Sequence, residues 1–419
     1  MEKRKILIRA GMLPTQSLNY IDLIKKNYFG TNVGNLVYQY SVCKTLMTED
    51  VEFIPTGYNF ANIDKKKIAK WNETCECFVI PLADAFREDF QDELVALTNL
   101  VKKLKIPCYV IGVGVKAPLG DVNNIHYKND DSIKKFFKAV LNKSAMVGLR
   151  GEITANYLKG LGFVPEKHFT VIGCPSLYMN RELKIRDTNI SPDSRVAFNL
   201  SPFANEETVS YILNNAKLFR EYYYIPQNLS DLKVMYAGAK RGGIKTESFP
   251  TDFFNPIFKD DHARFPNSFT TWQRFMKTLD FSFGTRLHGN IAGVVSGTPT
   301  LHIAFDARTQ EVTNYHHLAH VSLKDVQNSK NIFDLIEKVD FHEPEKYQEA
   351  NFNHYIDFLN ANGIRHIYLP GETAQLEKEL ENVKFKGMLT PTSAERPQII
   401  LERMQNYSTY INNRVMKKK

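Results

Sequence analysis

Short apolar runs alternate with segments of helical pattern through most of this chain, and that alternation restricts the possible folds more than any other feature. Five runs in the first half have the length of strands, namely Lys5–Ile8, Cys77–Ile80, Cys108–Val113, Met146–Leu149 and Val171–Cys174. The segments between them, such as 94–104 and 153–161, carry apolar residues at helical spacing. Strands that alternate with helices favour a parallel sheet covered by helices on both faces.

A second alternation begins after residues 185–194, a polar segment that contains Pro192 and is the predicted linker. The strands predicted in it are Val196–Leu200, Lys233–Tyr236, Asp280–Phe283 and Thr300–Ala304. Residues 238–268 are predicted to form a long loop, and the chain becomes helical and more polar after residue 330. We therefore predict an N-terminal domain at 1–184, a second domain at 195–335 and a helical extension at 336–419, with a ligand cleft at the carboxyl ends of the strands.

Length and composition agree with a two-domain globular protein. The 419 residues are too many for one ordinary core, and 43% are hydrophobic and 24% charged. The net charge of +8 fits an anionic small molecule or a lipid diphosphate as partner, and it also fits plain solubility. The basic residues form no stripe or known nucleic-acid module, so no nucleic-acid partner is expected.

The sequence shows neither an apolar stretch of membrane-spanning length nor a signal peptide, because the short apolar segment near the N-terminus is broken by Arg9. We expect a cytoplasmic protein, and a lipid-diphosphate partner would bring it to the inner face of the membrane. The five cysteines have no ligand or redox spacing, so we expect buried reduced thiols and no metal at Cys43, Cys75, Cys77, Cys108 and Cys174.

The segment Phe281–Asn290 has the pattern of a strand, a turn and the start of a helix. Gly284 and Gly289 allow the backbone to approach a ligand closely. Arg286 and His288 would then lie at the carboxyl end of the strand, where free N–H groups and the helix dipole favour an anion. Arginine offers a planar fork for a carboxylate or phosphate, and histidine is suited to proton transfer near neutral pH. The segment therefore predicts an anion site with a proton donor beside it.

The same segment belongs to a set of motifs that together resemble those of the polysaccharide pyruvyltransferase family. Its C-terminal signature is similar to Gly284–Gly289, Gly297–Pro299 and Asp306–Arg308. Further motifs agree in order along the chain, namely Asn32–Asn35, Ile111–Val115, Leu149–Thr154 and Gly173–Ser176. The similarity extends over residues 30–310, and it is the order of the motifs that makes it specific.

The resemblance implies an α/β fold of two Rossmann-like domains in a glycosyltransferase-B-like arrangement with a cleft between them. It also implies transfer of a pyruvyl group from phosphoenolpyruvate to two hydroxyls of a sugar, which forms a ketal and releases phosphate, with no cofactor besides this donor substrate. By the same resemblance, Arg286 and Leu287 contact the donor and His288 acts as the general acid. Arg150 and Arg308 are the further donor-binding predictions, although Arg308 could equally pair with Asp306.

The acceptor side of the cleft is expected to include Asn32, Gly34, Asn35 and Asp84. A helix is predicted from residue 36 to 47, and Asn32 or Asn35 would serve as its cap. Asn35 stands where the family usually has Asp, and 81–86 replaces a glycine-rich strand end. Asp84 could supply a carboxylate there or be a surface or cap residue. These differences leave the acceptor open, either a free sugar or a lipid-linked oligosaccharide, and the oligomeric state is open as well.

Two alternatives use the same architecture. A nucleotide-sugar-dependent glycosyltransferase also binds an anionic donor, but no contacts to ribose or base are identifiable in the sequence. A glycan-binding protein without catalytic activity would not need both Arg286 and His288. The basic segment 240–243 could bind an anion, but a solvated loop is the expected interpretation. Tyr222–Tyr224 could stack on a sugar, and alternation along a strand explains these residues equally well.

Overall fold

The computed structural model describes residues 3–119, 122, 124–391 and 397–416. Within these residues the chain is an α/β protein whose strands all pair in parallel. The strands are β1 (Arg4–Ile8), β2 (Val51–Pro55), β3 (Cys75–Pro81), β4 (Cys108–Ile111), β5 (Val147–Leu149), β6 (Phe169–Val171), β7 (Arg195–Asn199), β8 (Glu221–Tyr224), β9 (Phe281–Gly284), β10 (Thr300–Ala304) and β11 (His320–Ser322).

Helices connect the strands and cover the sheets. The helices of the first half are α1 (Tyr20–Lys26), α2 (Gly34–Leu46), α3 (Lys65–Thr74), α4 (Gln91–Lys103), α5 (Asp130–Leu141) and α6 (Glu152–Gly160). Those of the second half are α7 (Glu206–Ala216), α8 (Leu229–Ala237), α9 (Pro256–Lys259), α10 (Phe269–Met276), α11 (Leu287–Val294), α12 (Ala307–Tyr315), α13 (Leu323–Asn328) and α14 (Ile332–Ile336). The C-terminal helices are α15 (Glu343–Ala361), α16 (Leu376–Glu381) and α17 (Pro397–Met416), and short 3-10 helices lie at Glu88–Phe90 and Pro175–Met179.

Both sheets follow the same doubly wound strand order, as predicted for Rossmann-like units. The first sheet has the order β2-β1-β3-β4, and a parallel bridge between Val113 and Leu149 adds the pair β5-β6 beside β4. The second sheet has the order β11-β10-β9-β7-β8, so β7 lies between β8 and β9 as β1 lies between β2 and β3. The order in which the strands are added thus reverses once in each sheet, between β1 and β3 and between β7 and β9. Ligands of such sheets bind at this switch point, outside the carboxyl ends of the strands.

The two sheets share one hydrophobic core. A single cluster of buried side chains contains Ile8 and Val79 of the first sheet together with Phe198 and Phe283 of the second. The predicted reduced cysteines are also internal, because all five are buried and free. The strands of each sheet fall inside one of the two predicted domain ranges, whose exact limits stay a prediction.

The C-terminal helices return to both halves. In α15, Tyr355 stacks on Tyr178 with ring centroids 4.8 Å apart, and the Gln348 amide donates to the Leu177 carbonyl at 2.9 Å. Glu377 of α16 pairs with Lys44 of α2 at 2.6 Å, and α17 packs against α8 and α1. The extension predicted for 336–419 contains helices α15, α16 and α17 joined by non-helical segments, and its residues 392–396 and 417–419 lie outside the described part. No helix in the described ranges is both long enough and apolar enough to span a bilayer.

Several strand predictions need correction. Lys233–Tyr236 lies inside helix α8, because a capping box of Asn228 and Asp231 starts a helix just before this short apolar run. The strand of this region is β8, and the three tyrosines at 222–224 lie on it. The strand predicted at 171–174 ends earlier, since Gly173 has a left-handed φ of 71° and leaves the extended conformation. Strand β2 and helix α3 were not predicted.

Candidate active site

Four of the predicted site residues lie in the loops or at the helix starts that follow the carboxyl ends of strands from both sheets. Asp84 follows β3 and Arg150 follows β5 in the first sheet, whereas Arg286 follows β9 and Arg308 follows β10 in the second. Contacts across the cleft join the two groups. The shortest of these contacts between charged side chains is the ion pair of Arg308 with Asp84 at 3.3 Å.

The turn between β9 and α11 is held by two asparagines. The sheet register places Asn199 of β7 opposite Gly284, and the Asn199 side-chain oxygen accepts from the Arg286 backbone N–H at 2.6 Å. Asn199 also donates to the Asn290 side chain at 2.6 Å, and Asn290 donates to the Gly284 carbonyl at 2.8 Å. Gly284 is required here because its φ is 147° and a Cβ would overlap the Asn199 carbonyl. The turn is therefore rigid and presents Arg286 as the N-cap of α11.

The Arg286 guanidinium is buried and remains a cation at neutral pH. Its Nη2 donates to the Asn228 side-chain oxygen at 2.9 Å. Burial, and then repulsion from Arg308, lower its pKa to about 10. Leu287, the next residue, packs its side chain into the core, so only its backbone can face a ligand.

His288 lies between the two sheets. Its Nε2 is 3.8 Å from the Cys174 sulfur, and its ring stacks on Tyr38 with centroids 5.9 Å apart. Gly34 at the start of α2 lies against it, because a Cβ on Gly34 would come within 2.8 Å of the His288 Cβ. Burial, and then the positive charges of Arg150 and Arg308, lower the pKa of His288 to about 3. The imidazole is therefore neutral at pH 7 when no anion is bound.

Arg150 is fully buried, and none of its guanidinium nitrogens has a hydrogen-bond partner among the described residues. A buried cation without a partner is costly, because the lost hydration is not replaced. Its charge acts on both His288 and Asp84, which places it beside the cleft. An anionic ligand at this position would supply the missing hydrogen bonds.

Asp84 is present in the cleft, but it is held by arginines. Its carboxylate pairs with Arg308 at 3.3 Å and with Arg87 at 3.1 Å, and Arg308 also pairs with Asp306 at 3.1 Å. Burial raises the pKa of Asp84, but the guanidinium groups of Arg308, Arg87 and Arg150 together hold it well below its usual range. A carboxylate with such a low pKa is a weak base.

The asparagines predicted on the acceptor side shape the loop before α2. The Asn32 side chain accepts from the Gly34 N–H at 2.9 Å, whereas Asn35 donates to the Phe29 carbonyl at 3.0 Å. Asn32 also bridges to Asn228 of the second half, so this loop touches the residue that binds Arg286. The N-cap of α2 is Val33, and neither asparagine holds that position.

Some residues of the cleft were not predicted. Glu311 of α12 is 3% exposed and reaches Thr154 of α6, and His316 accepts from the Cys174 backbone N–H at 2.8 Å. In the sequence, each is a polar residue in or directly after a helix that also has apolar residues. This pattern is common on surface helices, so it does not indicate a site. The expectation of a fully solvated loop at 240–243 is wrong for Arg241, which is buried and paired with Asp231.

The chain matches the model of the polysaccharide pyruvyl transferase family over residues 32–306. The chain belongs to this family. The segment of this pyruvyl transferase that matches runs from Asn32 to Asp306 and includes the predicted general acid His288 and three of the four predicted donor-binding residues, Arg150, Arg286 and Leu287. Arg308 and Glu311 lie just beyond its end. A comparison with curated proteins gives no match.

Solved structures of other transferases and epimerases are similar to this pyruvyl transferase at low identity. The UDP-GlcNAc 2-epimerase of Methanocaldococcus jannaschii has 11% identity and a TM-score of 0.44, with 86% of this chain and 100% of that chain covered. The epimerase of Neisseria meningitidis has 10% identity and a TM-score of 0.42, with 86% and 100% covered. The glycosyltransferase SnogD of Streptomyces nogalater has 10% identity and a TM-score of 0.32, with 84% and 95% covered. Similarity at this level does not extend to activity or ligand.

The buried histidines of this pyruvyl transferase predict a loss of stability in mild acid. The pKa values of His288, His302 and His316 are each lowered from 6.5 to about 3, by burial first. Between pH 3 and pH 6.5 these histidines are protonated in the unfolded chain but neutral in the folded chain. The free energy of unfolding therefore falls as the pH falls below 6.5. Each histidine contributes up to about 1.4 kcal/mol per pH unit.

Glu311 has the opposite effect on the free energy of unfolding. Burial raises its pKa to about 7, so the folded chain binds a proton there before the unfolded chain does and gains stability as the pH falls through 7. Three histidines outweigh this one carboxyl. Urea unfolding at pH 7, 6 and 5 measures the effect, and His302→Gln is expected to reduce the slope by about one proton. A free energy of unfolding that stays constant from pH 6.5 to 5 would contradict the prediction.

Proposed function

We propose that this transferase moves the pyruvyl group of phosphoenolpyruvate onto two hydroxyls of a sugar, forming a ketal and releasing phosphate. The observation that carries the proposal is the buried guanidinium of Arg150, which has no hydrogen-bond partner in the described part of the chain and lies beside a cleft that also holds Arg286, Arg308 and His288. Phosphoenolpyruvate is compact and carries both a carboxylate and a phosphate, so it needs at least two cationic contacts. Arginine forks match both groups in a bidentate manner.

The donor also explains how a histidine with a low pKa can act as an acid. In the ligand-free cleft, burial and the charges of Arg150 and Arg308 keep His288 neutral. A donor with about three negative charges would offset the nearby guanidinium groups and raise the pKa of the imidazole, because opposite charges favour the charged form. His288 would thus gain its proton as the donor binds, which limits protonation to the loaded enzyme.

The reaction would then proceed through protonation of the donor. His288 gives its proton to the methylene carbon of phosphoenolpyruvate, and an oxocarbenium-like centre develops at the neighbouring carbon. One sugar hydroxyl adds to this centre and phosphate leaves, after which the second hydroxyl closes the ketal. Of the two hydroxyl protons, one leaves with phosphate and one restores the imidazolium, so the overall reaction balances.

The acceptor belongs to the synthesis of a capsule, an exopolysaccharide or a cell-wall glycan in this proposal, and it is a sugar or a lipid-linked oligosaccharide. The net charge of +8 supports an anionic, lipid-diphosphate-linked acceptor at the inner face of a membrane. Asp84 is a poor choice for the base that activates the acceptor, because its carboxylate is already paired with Arg308 and Arg87. Loss of the hydroxyl proton late in the reaction would not require a strong base.

Phosphate release from phosphoenolpyruvate in the presence of an acceptor panel tests the proposal. The panel contains free hexosides, oligosaccharides and polyprenyl-diphosphate-linked disaccharides, and phosphate is expected only when donor and a suitable acceptor are both present. Arg286→Met should abolish that release, whereas the matched control Arg274→Met removes an exposed arginine of α10 and should leave it unchanged. Transfer from a nucleotide sugar in place of phosphoenolpyruvate would establish a glycosyltransferase. Absence of phosphoenolpyruvate binding would reject the donor.

A further inference from the structure

Helix α12 connects β10 to β11 of the second sheet, yet one of its faces is hydrogen-bonded to the first half of the chain. The Ala307 N–H donates to the Ala117 carbonyl at 3.0 Å, and the Tyr315 hydroxyl donates to the Val171 carbonyl at 3.0 Å. Between these ends, Glu311 reaches the N-terminus of α6. The helix thus joins the loops after β4, β5 and β6 to the second half of the molecule.

The Glu311 carboxylate is held by two donors of Thr154. It accepts from the Thr154 backbone N–H at 3.0 Å and from the Thr154 hydroxyl at 2.9 Å, and that hydroxyl in turn accepts from the Val115 N–H at 3.0 Å. Thr154 lies in the first turn of α6, where free N–H groups and the helix dipole favour a carboxylate. Glu311 therefore ties down the helix that begins directly after Arg150 and Gly151.

Two glycines make room for Glu311. A Cβ on Gly114 would lie 2.8 Å from Glu311 Oε1, and a Cβ on Gly151 would lie 2.6 Å from the Glu311 Cβ. The same Cβ on Gly114 would lie 3.3 Å from the Arg150 Cβ and Cδ, so Glu311 and Arg150 flank one glycine. The basic side chain of Arg150 and the acidic side chain of Glu311 are thus neighbours.

Arg150 and Glu311 nevertheless form no ion pair in the described part of the chain. The carboxylate is engaged by Thr154, and the guanidinium is left without hydrogen-bond partners. A direct ion pair would satisfy both buried groups and would block Arg150 for a ligand. The arrangement therefore keeps the arginine free at the expense of local stability, which is typical of a site prepared for an anion.

We propose that Glu311, held by Thr154, is a positioning residue that fixes the start of α6 and keeps Arg150 unpaired and directed at the donor. This proposal rests on the proposed function for the identity of the donor. The groups of charge or titratable character around Glu311 are Arg150, Asp306 and Tyr127. Glu311 does not contact the reacting atoms, so it acts on binding rather than on the chemical step.

Binding by calorimetry, with phosphoenolpyruvate and with inorganic phosphate as probes, tests the role of Glu311. Glu311→Ala is expected to weaken phosphoenolpyruvate about 10–100-fold, the range typical of groups that orient a ligand-binding residue. Glu311→Gln keeps an oxygen for the Thr154 N–H and should restore most of the affinity. In turnover, Glu311→Ala should raise KM for the donor and leave kcat at saturating donor nearly unchanged.

Matched variants separate positioning from a general loss of structure. Thr154→Val removes the hydroxyl and should resemble Glu311→Ala, whereas Thr154→Ser keeps it and should resemble the wild type. Asn314→Ala changes an exposed residue of the same helix and should change neither affinity nor KM. Hydrogen–deuterium exchange at 152–155 should accelerate in Glu311→Ala and stay slow in the Asn314 variant.

The outcomes distinguish this proposal from the proposed function. Wild-type protein that binds inorganic phosphate but not phosphoenolpyruvate would reject the donor, and the Glu311 series would then be measured with phosphate. Glu311→Ala with wild-type affinity for the anion that binds would overturn the positioning role. Equal losses in Glu311→Gln and Glu311→Ala would overturn it as well, because charge rather than the bond to Thr154 would then matter. Protein that binds neither anion would overturn both.

Discussion

Replacing His288 by alanine is expected to lower kcat about 10²–10⁴-fold, the contribution typical of general acid catalysis, and to leave donor affinity within a few-fold of the wild type. The imidazole lies in the cleft beside Cys174 and Tyr38, and it makes no ion pair in the described ranges that the variant would break. Its removal also removes a group that is neutral before the donor binds, so the charge of the empty site does not change.

Donor affinity by calorimetry and single-turnover phosphate release measure the two effects separately. His288→Gln keeps a polar side chain without a proton to give at neutral pH, and it should be as inactive as the alanine variant. The control is Cys174→Ala, which removes the sulfur next to the ring and should retain most of the activity. Full turnover in His288→Ala would remove this residue from the mechanism.

Replacing Arg150 by methionine is expected to destroy donor binding and at the same time to stabilise the protein. The guanidinium is fully buried and has no hydrogen-bond partner among the described residues, so an apolar side chain of similar length removes a buried charge whose hydrogen bonds are not made. Exchange of buried charges for well-packed apolar groups can stabilise by about 1–4 kcal/mol. The variant also lacks the guanidinium that would pair with an anionic group of the donor. Loss of one partner of such a buried charge pair should weaken donor binding by about 2–5 kcal/mol.

The matched control is Arg308→Met, since Arg308 lies in the same cleft but is paired with Asp84 and Asp306. This change leaves Asp84 paired with Arg87 alone and removes the ion pair of Asp306, so the free energy of unfolding should fall by about 1–3 kcal/mol. Urea unfolding without ligand and calorimetry with phosphoenolpyruvate provide both quantities. If Arg150→Met were less stable than the wild type, its charge would be balanced within the protein, and the main support for the proposed donor would be lost.

Local sequence patterns predicted the centre of the site because the necessary information lies in ten consecutive residues. Phe281–Asn290 contains the strand, the glycines of the turn and the start of the helix, and the structure forms them in that order. The strand predicted at 233–236 was wrong for a related reason. Three consecutive apolar residues fit a strand or a helix equally, and the capping box that decides between them lies before the run.

The partners of the site residues could not be predicted, because they come from distant parts of the chain. Glu311 lies 157 positions from Thr154, and Asp84 lies 224 positions from Arg308. A polar residue on a helix has the same local pattern whether it faces water or a second sheet. The protonation state of His288 could not be predicted either, since its low pKa depends on burial first and then on Arg150 and Arg308, which only the fold brings near.

The path of the C-terminal segment limits how this enzyme can be recombined with its relatives. Helix α15 follows the second half in the sequence, yet its buried side chains Tyr355 and Gln348 pack against the first half. A chimera that exchanges residues 1–184 to change acceptor preference would therefore have to carry the segment containing α15 and α16 from the same parent. A single crossover point cannot achieve this. The chimera needs two crossovers, so that the second half of one parent is inserted between the N-terminal half and the C-terminal helices of the other.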